Sequence, residues 1–297
     1  MVSIIIPTYS RCDTLARAID SCLQQTYKDI EIIVVDDNDP DTEYRTATQA
    51  LMKSYEGNTR VTYLQHEKNK KGSAARNTGI QASIGDYITF LDDDDVLAPE
   101  KIEKQVQALM EHPEYGVVCC GVQALDEESK QQLKVSIPKG GEQAQYDMLR
   151  LRSSMGSGSN PMFTRKAIDV TGLFDTSFLR HQDTEFMIRV LRNFQMLVIE
   201  DVLITKYESG HPNRPSAKKY LAVQEHFLKT FEGDIKRYSN EQQCEIYRNN
   251  WHQMCIVAID DRDFKVAKDC LKKAKAYKRY TLRMYLGLLK HVVNNHY

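Results

Sequence analysis

Residues 30–37 read IEIIVVDD, a run of mostly β-branched residues that ends in two aspartates. A run of this length and composition predicts a buried strand followed by a polar loop. The same arrangement recurs along the first half of the chain, where strand-like and helix-like segments alternate. The predicted strands are 2–6, 30–35, 60–65, 87–91 and 116–122, and the predicted helices are 13–25, 42–55, 73–83 and 99–110. This alternation predicts an α/β fold with a mostly parallel sheet and flanking helices.

The alternation stops after about residue 125. Segments rich in Gly, Ser and Pro then indicate loops at 140–141, 156–161 and 211–215. A helix over 184–193 and a strand over 196–204 are predicted between the last two loops. From 216 to 297 nothing predicts a strand, and the pattern favours three or four helices. We therefore expect an α/β domain over 1–215, divided near residue 125, and a helical region over 216–297.

The composition excludes several classes of protein. The chain has 297 residues, a formal net charge of −1 and a pI near 6.7, so it has no basic excess and we expect no nucleic-acid partner. No stretch is long and apolar enough for a membrane-spanning helix, and the first residues do not form a signal peptide, which predicts a cytoplasmic location. The seven cysteines include no CxxC pair, which predicts thiols rather than disulfides or a zinc site.

Candidate site residues follow three of the predicted strands. They are Pro7, Thr8 and Tyr9 after the first, Asp36 and Asp37 after the second, and Asp92, Asp93, Asp94 and Asp95 after the fourth. Ligands of such sheets bind at the carboxyl ends of the strands, so these residues share one edge. Four adjacent carboxylates repel one another, and a divalent cation such as Mg2+ or Mn2+ would stabilise them. The alternative is a solvated acidic turn with one aspartate capping the next helix. The acidic pair on the neighbouring strand favours a site.

A second charged segment, 70–77, opens a predicted helix with the sequence KKGSAARN. The N-terminus of a helix attracts anions, and an arginine adds a bidentate donor. The alternative is an ordinary helix start with these side chains in solvent. We expect Lys70 and Lys71 to extend into solvent. For Arg76, contact with an anionic ligand is favoured.

Several segments together resemble the family 2 glycosyltransferases in order and spacing. They are SIIIPTY at 3–9, QTY at 25–27, IIVVDD at 32–37, ARNTGI at 75–80 and FLDDDD at 90–95, followed by FD at 174–175 and RHQDTEF at 180–186. The resemblance is strong over about 1–125. It implies a GT-A fold, which is Rossmann-like, with a nucleotide-sugar half over 1–125, an acceptor half over 126–215 and a C-terminal helical extension.

The resemblance also implies an activity and a donor site. The activity is inverting transfer of a sugar from a nucleotide diphosphate donor, most often a UDP-sugar, to a glycan or lipid-linked acceptor in bacterial cell-surface polysaccharide biosynthesis. Pro7, Thr8, Tyr9, Asp36, Asp37, Arg76, Asp92 and Asp93 would bind the donor. Asp37, with Asp36 and Tyr9, would contact the nucleobase and ribose, and Asp93 would lie near the ribose. Asp94 of the DxD-type motif would bind the metal, Mn2+ or Mg2+.

Three further residues receive roles from the resemblance. Asp183 falls where the family has its catalytic base, and its alternative role is that of a helix N-cap. His211 would be a second metal ligand, or simply a solvated histidine in a Gly/Pro loop. His181, which directly precedes Gln182 and Asp183, would contact the acceptor or the donor sugar.

The last 28 residues, 270–297, contain seven lysines and arginines and no acidic residue. Their leucines and valines lie at helical spacing, a pattern typical of helices that bind membrane surfaces. One interpretation is therefore a peripheral location on the inner face of the plasma membrane. The other is that the apolar stripe packs on the catalytic domain or on another subunit, so an oligomer is compatible with the sequence.

The main alternative function is a non-catalytic protein of the same fold that binds nucleotide sugars or glycans. A phospho-accepting receiver module is disfavoured because no aspartate follows the third predicted strand and no lysine closely follows the fifth. A nucleotidyltransferase is disfavoured because the segment after the first strand, PTYSR at 7–11, is not a Gly-rich basic loop.

Overall fold

The structure is a computed structural model that describes residues 1–153, 155–208 and 216–294, so His211 lies outside the described residues. The chain divides into two compact units. One comprises Met1–Gln145 and Ser154–Pro212, and the other comprises Tyr146–Ser153 and Asn213–Tyr297. The domain boundaries predicted near residues 125 and 215 stay predictions.

A nine-stranded sheet forms the centre of the first unit. Its strands are β1 (Val2–Thr8), β2 (Ile30–Asp36), β3 (Val61–Gln65), β4 (Tyr87–Phe90), β5 (Asp95–Leu97), β6 (Val117–Asp126), β7 (Gln132–Ser136), β8 (Met162–Thr164) and β9 (Met196–Glu208). The helices up to residue 190 are α1 (Cys12–Leu23), α2 (Glu43–Met52), α3 (Gly72–Ala82), α4 (Lys101–Glu111), α5 (Ala144–Leu149), α6 (Arg165–Thr171) and α7 (Gln182–Val190), with a 3-10 turn at Lys53–Tyr55.

The strand order is β3-β2-β1-β4-β8-β6-β9-β5, with β7 paired to β6. Strands β1, β2, β3 and β4 pair with one another in parallel, and β6 pairs with β9 in parallel. The short strands β5, β7 and β8 pair antiparallel with their neighbours. The predicted α/β class is confirmed. After β1, the chain adds β2 and β3 on one side and then β4 on the other. Such a reversal opens a crevice beyond the carboxyl ends of β1 and β4.

Helices cover both faces of β1, so nearly all of its residues are buried. On one face, α1 presents Leu15, Ala18, Ile19 and Cys22, which are spaced at i, i+3, i+4 and i+7 and have no exposed surface. On the other face, α3 approaches closely at Gly79. A Cβ atom there would lie 2.3 Å from Ile5 Cγ2, so only glycine allows this approach. The approach places the start of α3 beside the crevice.

The second unit is helical, as predicted. Its helices after residue 216 are α8 (Ala217–Thr230), α9 (Glu232–Ile235), α10 (Asn240–Asp260), α11 (Phe264–Tyr277) and α12 (Leu282–Asn294). The prediction was three or four helices, and the extra one is the single turn α9. Helix α10 contacts α8, α11 and α12, and it begins with a capping box between Ser239 and Gln242. Within the described parts of the chain, no helix is long and apolar enough to cross a bilayer.

Candidate active site

A cavity of about 550 Å³ lies at the carboxyl ends of the parallel strands. Three strand ends and the start of α3 contribute most of its lining. These residues are Pro7, Thr8, Tyr9, Ser10, Arg11, Asp37, Gly72, Ala75, Arg76, Asp92, Asp93, Asp94 and, from β9, Lys206. Of the ten predicted donor-binding and metal-binding residues, eight line this cavity, whereas Asp36 does not and His211 lies outside the described residues.

The ends of β1 and β4 are joined through Asp93. The Thr8 hydroxyl donates a 2.7 Å hydrogen bond to Asp93 Oδ2, and the Tyr9 backbone N–H lies 3.4 Å from the same oxygen. Burial raises the pKa of the Asp93 carboxyl to about 7, while the Thr8 hydroxyl and the Arg11 guanidinium act in the opposite direction. Asp93 thus points into the protein and fixes the geometry of the crevice.

The four consecutive aspartates alternate between buried and partly exposed side chains. Asp93 and Asp95 are buried, whereas the side chains of Asp92 and Asp94 keep 34% and 27% of their surface exposed. Asp95 Oδ2 accepts hydrogen bonds from the hydroxyls of Ser157 at 2.5 Å and Ser159 at 2.6 Å. The repulsion among the four carboxylates is therefore reduced, because the buried ones are separated from the exposed ones and because protein hydroxyls donate to Asp95.

Two arginines neutralise the aspartates at the cavity. Arg11 Nη1 pairs with Asp94 and lies 3.5 Å from Asp93 Oδ1, and Arg76 Nη2 donates to Asp92 Oδ1 at 2.6 Å. Arg11 was not among the predicted site residues. Its signal in the sequence was its place directly after the first strand, on the same edge as the acidic turn. The predicted anion contact of Arg76 is here a contact with a protein carboxylate.

Asp36 does not line the cavity but forms hydrogen bonds with residues of the protein interior. It is fully buried, and its Oδ1 accepts from the backbone N–H of Asn38 at 2.9 Å and from its side-chain amide at 2.8 Å. Its Oδ2 accepts from the Tyr63 hydroxyl at 2.5 Å and pairs with Arg45 Nε at 3.0 Å. Both oxygens are therefore used by the protein itself.

Asp37 organises the loop that leads into α3. Its carboxylate accepts from the backbone N–H groups of Lys70 at 2.7 Å and Lys71 at 2.8 Å, and His66 Nδ1 lies 2.7 Å away. The side chains of both lysines are exposed, as the sequence favoured. His66 was not predicted, because nothing in its local sequence connects it with Asp37.

Asp183 lies in the first turn of α7, where its negative charge complements the helix dipole. His181 occupies the N-cap position, so the N-cap alternative does not describe Asp183. A Cβ atom on Gly158 would lie 3.4 Å from Asp183 Oδ2 and 3.5 Å from Asp92 Oδ2, so both carboxylates face one small volume. Within the described residues Asp183 has no hydrogen-bond partner. Burial lowers the pKa of His181.

The start of α7 also meets the start of α3. A Cβ atom on Gly72 would lie 3.1 Å from Arg76 Nη1 and 3.3 Å from Gln182 Nε2. Behind this point, Glu185 pairs with Arg189, whose guanidinium donates to the carbonyls of Thr171 and Leu173, both at 2.9 Å. Glu185 thus holds α7 in place while Asp183 faces Asp92 beside Gly158.

The oxygens of Asp92 and Asp94 fit a hard divalent cation of the kind that takes one or two protein carboxylates together with substrate phosphates. They do not form a closed site, since no group of three or more potential ligands occurs in the ranges 1–153, 155–208 and 216–294. The arginine bound to Asp94 is itself a cation, so the site already balances negative charge.

Comparison with known proteins agrees with this architecture. The profile of the family described as "Glycosyl transferase family 2" matches residues 3–172, more than half of the chain. An uncharacterized glycosyltransferase of Rickettsia prowazekii (strain Madrid E) is 30% identical over 256 residues, which are 85% of this chain and 77% of that protein.

Solved structures resemble the chain over nearly its whole length. S. aureus TarS 1-349 in complex with UDP-GlcNAc has a TM-score of 0.62 at 15% identity, covering 94% of this chain and 93% of that one. The mannosyltransferase PcManGT from Pyrobaculum calidifontis, in complex with GDP-Man and Mn2+, has a TM-score of 0.59 at 17% identity, covering 100% and 80%. These likenesses confirm the predicted GT-A fold.

Proposed function

The chain belongs to glycosyl transferase family 2, and from this premise we propose that it is an inverting transferase. The donor is a nucleotide diphosphate sugar, a UDP-hexose or UDP-N-acetylhexosamine, and the acceptor is a hydroxyl of a glycan or a lipid-linked glycan in cell-surface polysaccharide biosynthesis. The observation that carries the proposal is the meeting of Asp92 and Asp183 beside Gly158. A carboxylate from the acidic turn and a second one from α7 then flank the place where transfer occurs.

The nucleotide is proposed to bind beyond the ends of β1 and β2. The Tyr9 ring is 50% exposed at the cavity and offers an apolar face for stacking on a base. Asp37, with the loop that it holds, forms the opposite wall toward the ribose, while Pro7, Thr8 and Asp93 shape the floor between them. Asp36 contributes by holding Asn38 and Arg45 rather than by contact with the donor. The complexes of TarS with UDP-GlcNAc and of PcManGT with GDP-Man support a nucleotide sugar as the ligand class.

A divalent metal, Mn2+ or Mg2+, is proposed to bind at Asp94, with Asp92 beside it and His211 as a further candidate ligand outside the described residues. When bound, such an ion neutralises negative charge on the leaving nucleoside diphosphate. The Mn2+ in the PcManGT complex supports this proposal. Arg11, which pairs with Asp94, and Arg76, which pairs with Asp92, supply positive charge at the same place.

Asp183 is proposed to act as the general base. Its carboxylate takes the proton of the acceptor hydroxyl while that oxygen attacks the anomeric carbon from the side opposite the diphosphate. The new carbon–oxygen bond forms as the bond to the diphosphate oxygen breaks, so the configuration inverts. General base catalysis of this kind contributes a factor of about 10²–10⁴. The described residues leave the carboxylate of Asp183 without a competing hydrogen-bond donor.

Helix α12 supports a membrane-linked acceptor. Leu282, Leu286 and Leu289 are exposed along one side of it, whereas Leu288 on another side is buried. The helix therefore packs with one face and presents a second apolar stripe beside basic residues, which suits contact with an anionic membrane surface. The packed face contacts α10 of the same helical unit, and the membrane contact of the exposed face is part of the proposal.

The test is a panel of nucleotide sugars with and without Mn2+, on the wild type, Asp183→Asn and Asp94→Ala. We expect metal-dependent release of one nucleoside diphosphate, and transfer in the presence of acceptor. Asp183→Asn should bind that donor normally but transfer more slowly by about 10²–10⁴-fold. Asp169→Asn, an exposed aspartate on α6, is the matched control. Donor binding by the wild type without hydrolysis or transfer would instead support the non-catalytic alternative.

A further inference from the structure

The helical unit contains its own cavity, of about 410 Å³, between the segment around residue 151, α10 and α12. Four arginines and a histidine line it: Arg150, Arg152, Arg248, Arg283 and His252. Among the described residues that line the cavity none is a carboxylate. A concave surface with this concentration of positive charge has to be balanced by counterions or by a ligand.

The nearby carboxylates neutralise only part of this charge. Asp147 lies 2.7 Å from Arg150 Nη2, and Glu245 lies 2.8 Å from Arg150 Nη1. Arg248 is buried, and its guanidinium lies 4.0 Å from Glu245 while it donates to the Asn249 side chain at 3.0 Å. Both acidic groups are therefore committed chiefly to Arg150, and Arg248 receives little compensation.

Arg152 and Arg283 lie on separate elements and are both exposed to the cavity. In the part of the chain that the structure describes, neither has a carboxylate within 4.0 Å. Two guanidinium groups therefore converge on one space without a counterion from the protein. The planar guanidinium group matches the oxygens of phosphate and binds them in pairs.

His252, in the wall of the cavity, lies in the electrostatic field of the same positive charges. Its Nδ1 lies 3.0 Å from the Tyr280 hydroxyl. Burial lowers the pKa of His252, and the charges of Arg248, Arg152 and His291 lower it further. His252 therefore lines the cavity beside the arginines, with its ring held by Tyr280.

We propose that this cavity is a binding site for a phosphate-type anion, a phosphate ester or a diphosphate. A group with two or more negative charges is matched by Arg152, Arg248 and Arg283 better than a single carboxylate is. The cavity has room for more than the phosphate itself, so the ligand carries it on a sugar or a headgroup. The site lies wholly within the helical unit, and its occupancy does not depend on the proposed transfer reaction.

The same chemistry occurs in two sources, the headgroup of an anionic lipid and a soluble phosphate ester. The exposed leucines of α12, Leu282, Leu286 and Leu289, lie on both sides of Arg283 in the sequence, so a lipid surface in contact with them would be accessible to the same arginine. The experiment therefore includes both sources. The probes are pyrophosphate, measured by calorimetry in the presence of EDTA, and vesicles of phosphatidylglycerol or of phosphatidylcholine alone, measured by sedimentation.

The variant is Arg152→Gln with Arg283→Gln, and the matched control is Lys218→Gln with Arg237→Gln, which removes two exposed charges elsewhere on the helical unit. We expect the control to bind pyrophosphate like the wild type and the variant to bind it at least tenfold more weakly. Binding of a UDP-sugar should be the same in all three, so a failure here is distinguishable from a failure of the proposed function.

Sedimentation with phosphatidylglycerol vesicles that is lost in the variant would identify a lipid headgroup as the source. Pyrophosphate binding without such sedimentation would identify a soluble ester. Equal behaviour of variant and control toward both probes would overturn the site, as would a wild type that binds neither.

Discussion

The Thr8 hydroxyl donates a 2.7 Å hydrogen bond to the buried carboxylate of Asp93, and this bond ties the end of β1 to the end of β4. The two strands are neighbours in the sheet although 85 positions separate the two residues in sequence. The bond lies where the order of the strands reverses, which is the place where sheets of this kind bind ligands. Its loss should therefore affect both folding and donor binding.

Thr8→Val keeps the shape of the side chain and removes the hydroxyl. A buried carboxylate then loses a donor, so we expect a loss of unfolding free energy of about 1–3 kcal/mol and weaker donor binding. Urea denaturation and calorimetric titration with the donor measure the two effects. Thr62→Val, on the exposed face of β3, is the matched control and should change neither quantity. Identical stability of the two variants would contradict the structural role of this hydrogen bond.

Tyr63→Phe tests the hydrogen bond between the Tyr63 hydroxyl and the buried carboxylate of Asp36. The Tyr63 hydroxyl donates to fully buried Asp36 at 2.5 Å, and burial followed by the Asp36 carboxylate raises the pKa of this tyrosine. Removing the donor should cost about 1–3 kcal/mol of stability, because a buried carboxylate then loses a hydrogen bond. Thermal unfolding measures the change. Tyr44→Phe, at an exposed position of α2, should leave the melting temperature unchanged.

Gly79→Ala tests the contact between α3 and β1. The added methyl group would lie 2.3 Å from Ile5 Cγ2, and overpacking of this kind costs about 1–3 kcal/mol, more than the helical preference of alanine returns. The double variant with Ile5→Ala should be less destabilised than the two single changes summed, since both act on one contact. Strict additivity in urea denaturation would show that α3 does not pack in this way.

The strands were predictable where their pattern was long. Segments such as IEIIVVDD at 30–37 carry enough β-branched residues to identify a buried strand and its polar end. The short strands β5 (Asp95–Leu97) and β8 (Met162–Thr164) have three residues each, too few for any periodic pattern. Strand β7 (Gln132–Ser136) is mostly exposed, so no apolar alternation marks it.

The candidate site was predictable only in part, because residue type fixes chemistry but not orientation. The aspartates after the second and fourth strands were found from their positions. That Asp36 turns inward depends on Arg45 and Tyr63, which lie 9 and 27 positions further along the chain. The pairing of Arg11 with Asp94 could not be predicted either, because 83 positions separate the two residues in sequence. Contacts of this kind arise from the topology of the sheet, and no local pattern encodes them.

Arg11→Gln tests the balance of charge at the acidic turn. The guanidinium pairs with Asp94, so it competes with any cation that this carboxylate binds. Without it, we expect the Mn2+ concentration needed for half-maximal donor hydrolysis to fall by about threefold to tenfold, in line with the loss of one repelling charge at short range. Arg60→Gln, immediately before β3, is the control and should show the Mn2+ dependence of the wild type. A higher Mn2+ requirement would assign Arg11 to the donor phosphates instead.

Gly158→Ala tests the proposed reaction at its centre. The new methyl group would lie 3.4 Å from Asp183 Oδ2 and 3.5 Å from Asp92 Oδ2, ordinary contact distances, so the protein should fold with a stability close to that of the wild type. The same methyl group would occupy the space that the transferred sugar and the acceptor hydroxyl are proposed to share.

Transfer by Gly158→Ala should therefore fall by at least tenfold in kcat/KM, whereas its affinity for the free nucleoside diphosphate should be retained, because the nucleotide is proposed to bind farther toward β2. Gly233→Ala, where a Cβ atom meets nothing within 4 Å, is the matched control and should transfer normally. Steady-state rates and calorimetric titration with the diphosphate separate the two effects. Unchanged transfer by Gly158→Ala would place the reaction away from Asp92 and Asp183 and would remove the observation on which the transferase mechanism rests.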